Sequence, residues 1–163
     1  MPRRPREEHD GAIYHVFARG VNRVRIFVDD EDYRRYLGLL RATIEETKWN
    51  CLGFCLMPNH VHLLIETPQP NLGVGMQQLH GTYAQWFNER HKRVGHLFQD
   101  RYRAEPVADE TYLAALVPYV AMNPVAAALC ARPEDWPWSS HAMVTTGRAP
   151  RWLAHRRLAR VAG

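Results

Sequence analysis

Apolar and polar positions along the chain fall into two alternating periods. Ile13-Tyr14-His15-Val16-Phe17-Ala18 is rich in β-branched and aromatic residues and predicts a first strand. It runs into Arg19-Gly20-Val21-Asn22-Arg23, a turn carrying two arginines. Asp29 or Asp30 then supplies a helix cap, Glu31 and Asp32 suit a first helical turn, and Tyr33, Tyr36, Leu37, Leu40 and Ile44 follow helical spacing to an end near Lys48. Trp49 to Met57 is an apolar run of strand length. Pro58-Asn59 fits a tight turn, and His60 to Glu66 forms the return strand. After Thr67-Pro68-Gln69-Pro70, Asn71 is placed to cap a second helix bearing Leu72, Met76, Leu79, Tyr83, Trp86 and Phe87 on one face. Basic Arg90-His91-Lys92-Arg93 suits its C-terminus, and Gly95 stops it. His96 to Val107 predicts a last strand with Arg101 and Arg103 at its centre.

Strand, helix, strand, strand, helix, strand is the order of an α+β, ferredoxin-like βαββαβ sandwich, with an antiparallel sheet and helices stacked on one side. A third helical pattern after Asp109 places Leu113, Leu116, Val117 and Val120 on one side. Tyr119 and Asn123, four residues apart, share a face away from the centre of that stripe. Pro118 removes an N–H and predicts a kink or a restart there. Asn123 before Pro124 also reads as a helix cap with proline at the first helical position.

Composition narrows the picture. The 163 residues suit one compact domain, placed at 11–147 between a basic arm over 1–10, with Arg3, Arg4 and Arg6, and a basic tail over 148–163. No run is apolar enough to span a membrane and no signal-type stretch opens the chain, so a cytoplasmic location is expected. Cys51, Cys55 and Cys130 are an odd number without framework spacing, which argues against structural disulfides and makes Cys51 and Cys55 core residues. The net charge is +4, and of 21 cationic residues all but Lys48 and Lys92 are arginine. Arginine grips phosphate bidentately and stacks on bases, so a nucleic-acid partner is indicated; a coding bias toward arginine gives the same composition.

The candidate chemistry lies in Met57-Pro58-Asn59-His60-Val61-His62-Leu63-Leu64. On a strand, His60 and His62 share one face and Val61 takes the other, so two imidazoles make half of a metal site. With Tyr119 and Asn123 downstream, the chain resembles the HUH single-tyrosine transposases of small insertion sequences, in particular the branch called REP-associated tyrosine transposases. Tyr14-His15-Val16 with Arg19-Gly20, the His60 segment, Tyr119 through Val125 and Trp136-Pro137-Trp138-Ser139-Ser140 carry the likeness over roughly residues 11 to 147. Pro118 and Ala126 depart from it, each standing where the family commonly has arginine.

The resemblance implies cleavage and rejoining of single-stranded or hairpin DNA, with extragenic palindromic repeats as targets, by a monomer or homodimer. Tyr119 would be the nucleophile, forming a 5′-phosphotyrosine and releasing a 3′-OH, and Tyr112, seven residues earlier on nearly the same face, is its rival. A phenol, with a pKa near ~10, is a poor nucleophile at neutral pH, so a metal on the phosphate is needed. His60, His62 and Asn123 form a neutral ligand set suited to a divalent ion such as Mg²⁺ or Mn²⁺, with Zn²⁺ as the alternative. Arg19, Arg23, Arg101 and Arg103 are the candidates for DNA contact. The alternative is a nucleic-acid-binding module without catalysis, since the same fold serves RNA-recognition domains.

Overall fold

The computed structural model of the protein describes residues 8–162. Arg3, Arg4 and Arg6 of the expected basic arm lie outside them. A four-stranded antiparallel sheet has the order β2-β3-β1-β4, built from β1 (Ala12–Arg19), β2 (Asn50–Met57), β3 (His60–Thr67) and β4 (Arg103–Pro106). Helices α1 (Asp30–Thr47) and α2 (Leu72–Arg90) join the strands in the expected order. Both contribute to a hydrophobic cluster with the sheet face bearing Tyr14, Val16, Ala18, Val61, Leu63 and Ile65. Helix α3 (Glu110–Ala126) covers part of the opposite face, where Leu113, Leu116 and Val120 meet Leu52, Met57 and Leu64. Short α4 (Ser140–Thr145) and α5 (His155–Ala162) complete the chain.

Local chemistry explains the boundaries. The Asp29 carboxylate accepts the Asp32 N–H at the start of α1, and Lys48 ends it in the left-handed region at φ 64°. Asp32 is fully buried yet satisfied: it accepts the Val28 N–H at 2.8 Å, and Arg90 and His91, at the far end of α2, approach it at 2.7 and 2.8 Å. One carboxylate thus ties the start of one helix to the end of the other. Asn71 precedes α2 but its side chain does not cap it. It instead accepts the Trp49 indole N–H at 2.8 Å and donates to the Thr47 carbonyl at 2.9 Å, pinning α2 to the α1–β2 junction.

Three further expectations need correction. The last strand does not span 96–107. Leu97 is buried and Phe98 stacks on His80 at 4.2 Å, so consecutive side chains enter the core and alternation begins only at Arg103. Helix α3 runs unbroken through Pro118 and Pro124. A proline inside a helix costs ~3 kcal/mol, against roughly 1.5–3 kcal/mol for each large apolar side chain that the helix buries. Leu113, Leu116 and Val120 together offset a cost of the size that the two prolines impose, and the carbonyl left without its donor by Pro118 belongs to exposed Ala114. Asn123 is therefore an interior helical residue and no cap. Cys51 and Cys55 are core residues as expected, and because the register of β2 against β3 shifts between Cys51 and Gly53 they lie in different clusters on opposite faces.

Residues beyond α3 seal the free edge of β2. Leu56 donates to the Trp138 carbonyl, Ala154 to the Cys51 carbonyl, and the Trp136 indole to the Leu56 carbonyl. The tryptophans pack as core residues, with Trp138 stacked on Tyr33 at 4.7 Å. Leu153 is buried, and Arg157 pairs with the buried Glu66 on β3, so this part of the basic tail is docked.

Two glycines of α2 give opposite expectations. A Cβ on Gly75 would stand 2.1 Å from the Trp49 ring, whereas Gly81 has open space. Gly→Ala in a helix gains about 1 kcal/mol, so Gly81→Ala should raise the urea midpoint. Gly75→Ala should lower it, since overpacking costs about 1–3 kcal/mol and Trp49 is itself buried. A second expectation concerns pH. His80 is buried against the Tyr36 hydroxyl at 2.8 Å, and burial lowers its pKa to about 3. Below the ordinary histidine pKa the unfolded chain takes up the proton that the fold refuses. Stability should be fully present above about pH 6.5 and fall toward pH 3. Urea unfolding across this range should show a shallower fall in His80→Gln.

Candidate active site

The site forms where the pleat of β1 and β3 meets the exposed side of α3. Antiparallel pairing sets Phe17 opposite His62 and Arg19 opposite His60, while β4 sets Arg103 opposite Phe17 and Glu105 opposite His15. Cross-strand partners share a face, so His15, Phe17, Arg19, His60, His62, Arg103 and Glu105 all project toward the α3 side. The two-residue turn Pro58-Asn59 holds the histidine end of β3, and Ile26 and Phe27 both donate to the Pro58 carbonyl, bracing it from outside. Gly20, just after β1, permits a close approach: a Cβ there would lie 2.3 Å from the Val24 carbonyl oxygen.

His60 and His62 stand edge to face with ring centres 5.1 Å apart. Each has its Nδ1 engaged: His60 with Asn59 Oδ1 at 2.8 Å, and His62 with His15 Nε2 at 2.9 Å. Their Nε2 atoms are left for another partner. Asn123 on α3 stands beside both rings, close enough to bear on their proton affinity, and donates its amide Nδ2 to the Tyr119 carbonyl at 3.3 Å. One turn earlier, Tyr119 is 59% exposed, with its ring edge to face with His62 at 6.3 Å. Tyrosine, two histidines and amide therefore converge, although some sixty residues separate the strand from the helix.

The imidazoles are held neutral. Burial, then the neighbouring His60 and His15, lower the His62 pKa to about 3, with the nearby Asn123 amide opposing the fall. Burial lowers His60, with Asn123 opposing and Arg19 adding to the fall. Burial also lowers His15, opposed by the charge of Glu105. A neutral ring offers the lone pair that a metal needs.

Beside this group lies a cleft of about 620 Å³, lined by His15, Arg19, His62, Arg101, Arg103 and Tyr119 among others. Three of the four predicted DNA-contact arginines face it. Arg23 does not line it and sits exposed in the turn after β1, at φ 59°. Tyr112 lines the same cleft one heptad before Tyr119. His15, Gln99 and Glu105 were not singled out individually from the sequence. The alternation His15, Phe17, Arg19 along the first strand carries that signal for His15, but only the strand pairing reveals which histidine it meets. Among the described residues, no three His, Cys, Asp or Glu side chains gather as a metal cage. No helix among them is long and apolar enough to cross a membrane.

Known proteins match both chain and fold. A "Putative REP-associated tyrosine transposase" of Haemophilus influenzae is 26% identical over 111 residues, covering 61% of this chain and 63% of the relative, so under two thirds of that relative's length is spanned. A solved structure described as a REP-associated tyrosine transposase bound to a REP hairpin superposes with a TM-score of 0.74, at 16% identity, over 92% of this chain and 89% of that one. A structure described as a putative transposase from Deinococcus radiodurans R1 gives a TM-score of 0.50 at 22% identity, over 73% and 95%. At these identities the two structures speak for the fold, the α+β arrangement with its antiparallel sheet. Residues 9–123, more than half of the chain and inclusive of His15, His60, His62, Tyr119 and Asn123, match the family described as "Transposase IS200 like", and the chain belongs to that family.

Proposed function

We propose that this protein cleaves and rejoins single-stranded DNA through Tyr119, acting on hairpin or palindromic DNA of the REP type. The observation that carries the reading is the meeting of Tyr119, His60, His62 and Asn123 at one end of an arginine-lined cleft. The REP hairpin is named for the solved relative, and the shared fold supports extending it to this chain.

The donor set fits a divalent ion that accepts both nitrogen and oxygen ligands. His60 and His62 have their Nδ1 atoms engaged, which leaves their Nε2 atoms for a metal, and Asn123 adds an amide beside both rings. Two nitrogens and one oxygen leave positions for phosphate and water, which suits Mg²⁺ or Mn²⁺. Such an ion, when bound, neutralises the phosphate and stabilises the departing oxygen. His60, His62 and Asn123 would hold it, and Arg19, Arg101 and Arg103 would position the backbone along the cleft. The Tyr119 oxygen forms the new bond to phosphorus as the bond from phosphorus to the 3′ oxygen breaks. The phenol gives up its proton, the departing 3′ oxygen gains one, and the 5′ phosphate stays on Tyr119. A second 3′-OH reverses the step on another strand. The phosphoester is exchanged at each stage, so no nucleotide cofactor is required. Exposure suits this role, because Tyr119 must reach a backbone that arrives from solvent.

Labelled hairpin DNA incubated with Mn²⁺ should yield a denaturation-resistant protein–DNA adduct with wild type and with Tyr112→Phe, and none with Tyr119→Phe. Chelation with EDTA should suppress the adduct, and His60→Ala should abolish it while leaving hairpin binding largely unchanged. Binding without adduct under every metal would favour the non-catalytic module. Arg103→Ala should weaken binding across all sequences and reduce the salt slope of the affinity by about 1, as expected for one lost phosphate contact.

A further inference from the structure

Beyond the ligand set stands a third histidine that the cleavage scheme does not use. His15 Nε2 lies 2.9 Å from His62 Nδ1, and the two rings stack at 5.1 Å with 14° between their planes. We infer that His15 is a positioning residue, the hydrogen-bond acceptor that keeps the His62 proton on Nδ1 and so presents Nε2 of that ring to a metal. This rests on the metal-site reading given above.

Between two neutral imidazoles, a nitrogen–nitrogen hydrogen bond has one donor and one acceptor, so their tautomers are coupled. A metal on Nε2 leaves the proton of a neutral ring on Nδ1, and that N–H needs an acceptor. For His60 the acceptor is Asn59 Oδ1 at 2.8 Å. The Asn59 amide nitrogen is directed to the Arg23 carbonyl, at 3.5 Å, which leaves the oxygen for the ring. A carbonyl oxygen only accepts, so His60 carries its proton on Nδ1. His15 occupies the equivalent place beside His62, and the two rings then present the same nitrogen to the space beside Asn123.

The rest of the sheet supports an accepting His15. Glu105 is its partner on β4, while His62 approaches from β3, on the other side of β1. A carboxylate on the β4 side favours a proton on that edge of the ring and a lone pair on the edge facing His62. The contact is also held in place from below. His15 lies opposite Leu64 and His62 opposite Phe17, a diagonal pair within eight consecutive β1–β3 register partners, so the backbone holds the two side chains within reach of each other. Phe17 packs against His62 at 5.2 Å and closes the remaining side.

The test uses the full chain and two readouts besides activity. In ¹⁵N-labelled protein saturated with Mg²⁺, the His62 Nδ1 should be protonated and show scalar coupling across the hydrogen bond to His15 Nε2. By calorimetry, His15→Phe, which keeps an aromatic ring and removes the acceptor, should weaken Mn²⁺ binding by about 10–100-fold, the usual effect of losing such an outer partner. His15→Gln, whose amide oxygen accepts, should recover part of that loss. Circular dichroism verifies that both variants are folded. A His62 ring protonated on Nε2, or wild-type Mn²⁺ affinity in folded His15→Phe, overturns the assignment of His15 while leaving the metal site standing. Absence of Mn²⁺ binding by the wild type overturns the metal reading and this inference with it.

Discussion

The pairing of β1 with β3 is the constraint on which the site depends. Eight consecutive antiparallel partners run from Ala12 with Thr67 to Arg19 with His60. Because side chains alternate, this one register decides two things together. Tyr14, Val16, Ala18, Val61, Leu63 and Ile65 go to the face that forms the main core with α1 and α2, and His15, Phe17, Arg19, His60 and His62 go to the other. A slip of one residue would exchange the sets, sending three imidazoles and a guanidinium into the core. The burial of the first set therefore enforces the geometry of the second. Packing energy on one side of the sheet secures polar geometry on the other.

The opposite side is only half covered, and that is what makes it usable. Helix α3 buries Leu113, Leu116 and Val120 against β2 and β3, but its other flank, with Tyr112, Tyr119 and Met122, stays exposed. The helix meets the sheet strongly enough to run through two prolines, and its continuity past Pro118 is what sets Tyr119 one turn before Asn123 on a seated helix. A break at Pro118 would part both of them from Leu113 and Leu116, which seat the first half of the helix on the sheet. The cleft on the exposed flank is bordered by the short β4 and the irregular segment before it, which bring Gln99, Arg101 and Arg103 to its rim.

Much of this was legible in the sequence, for identifiable reasons. The hairpin around Pro58-Asn59, the helix from Asp29 to Lys48 and the face shared by His60 and His62 follow from local chemistry that tertiary contacts did not override. The misreadings share one cause, a tertiary contact stronger than a local preference. Asn71 looked like a cap, but the buried Trp49 indole claimed its oxygen. Asn123 looked like a cap, but apolar burial carried α3 past it. The strand proposed over 96–107 lost its first half to Leu97 and Phe98, which the core takes in succession. His15 was visible only as part of a family-like segment, because its chemistry depends on which strand lies beside it.

The two histidines of β3 also carry a cost that makes structural sense only with a partner in view. Burying imidazole without full hydrogen bonding is unfavourable, and His62 is almost wholly buried with its proton affinity depressed by two neighbouring rings. A structural role would be met more cheaply by leucine or valine, which the same strand uses at Val61, Leu63 and Leu64. Neutral, tightly held rings with one nitrogen each engaged are poor acids and poor surface contacts, but they suit binding of a cation. The same burial that lowers their affinity for a proton leaves the lone pair available at neutral pH. Arg19 reinforces this from the end of β1, since its charge opposes protonation of both rings while its guanidinium reaches toward the cleft. The arginine next to the histidines thus has a use even before any phosphate arrives: it helps keep them unprotonated.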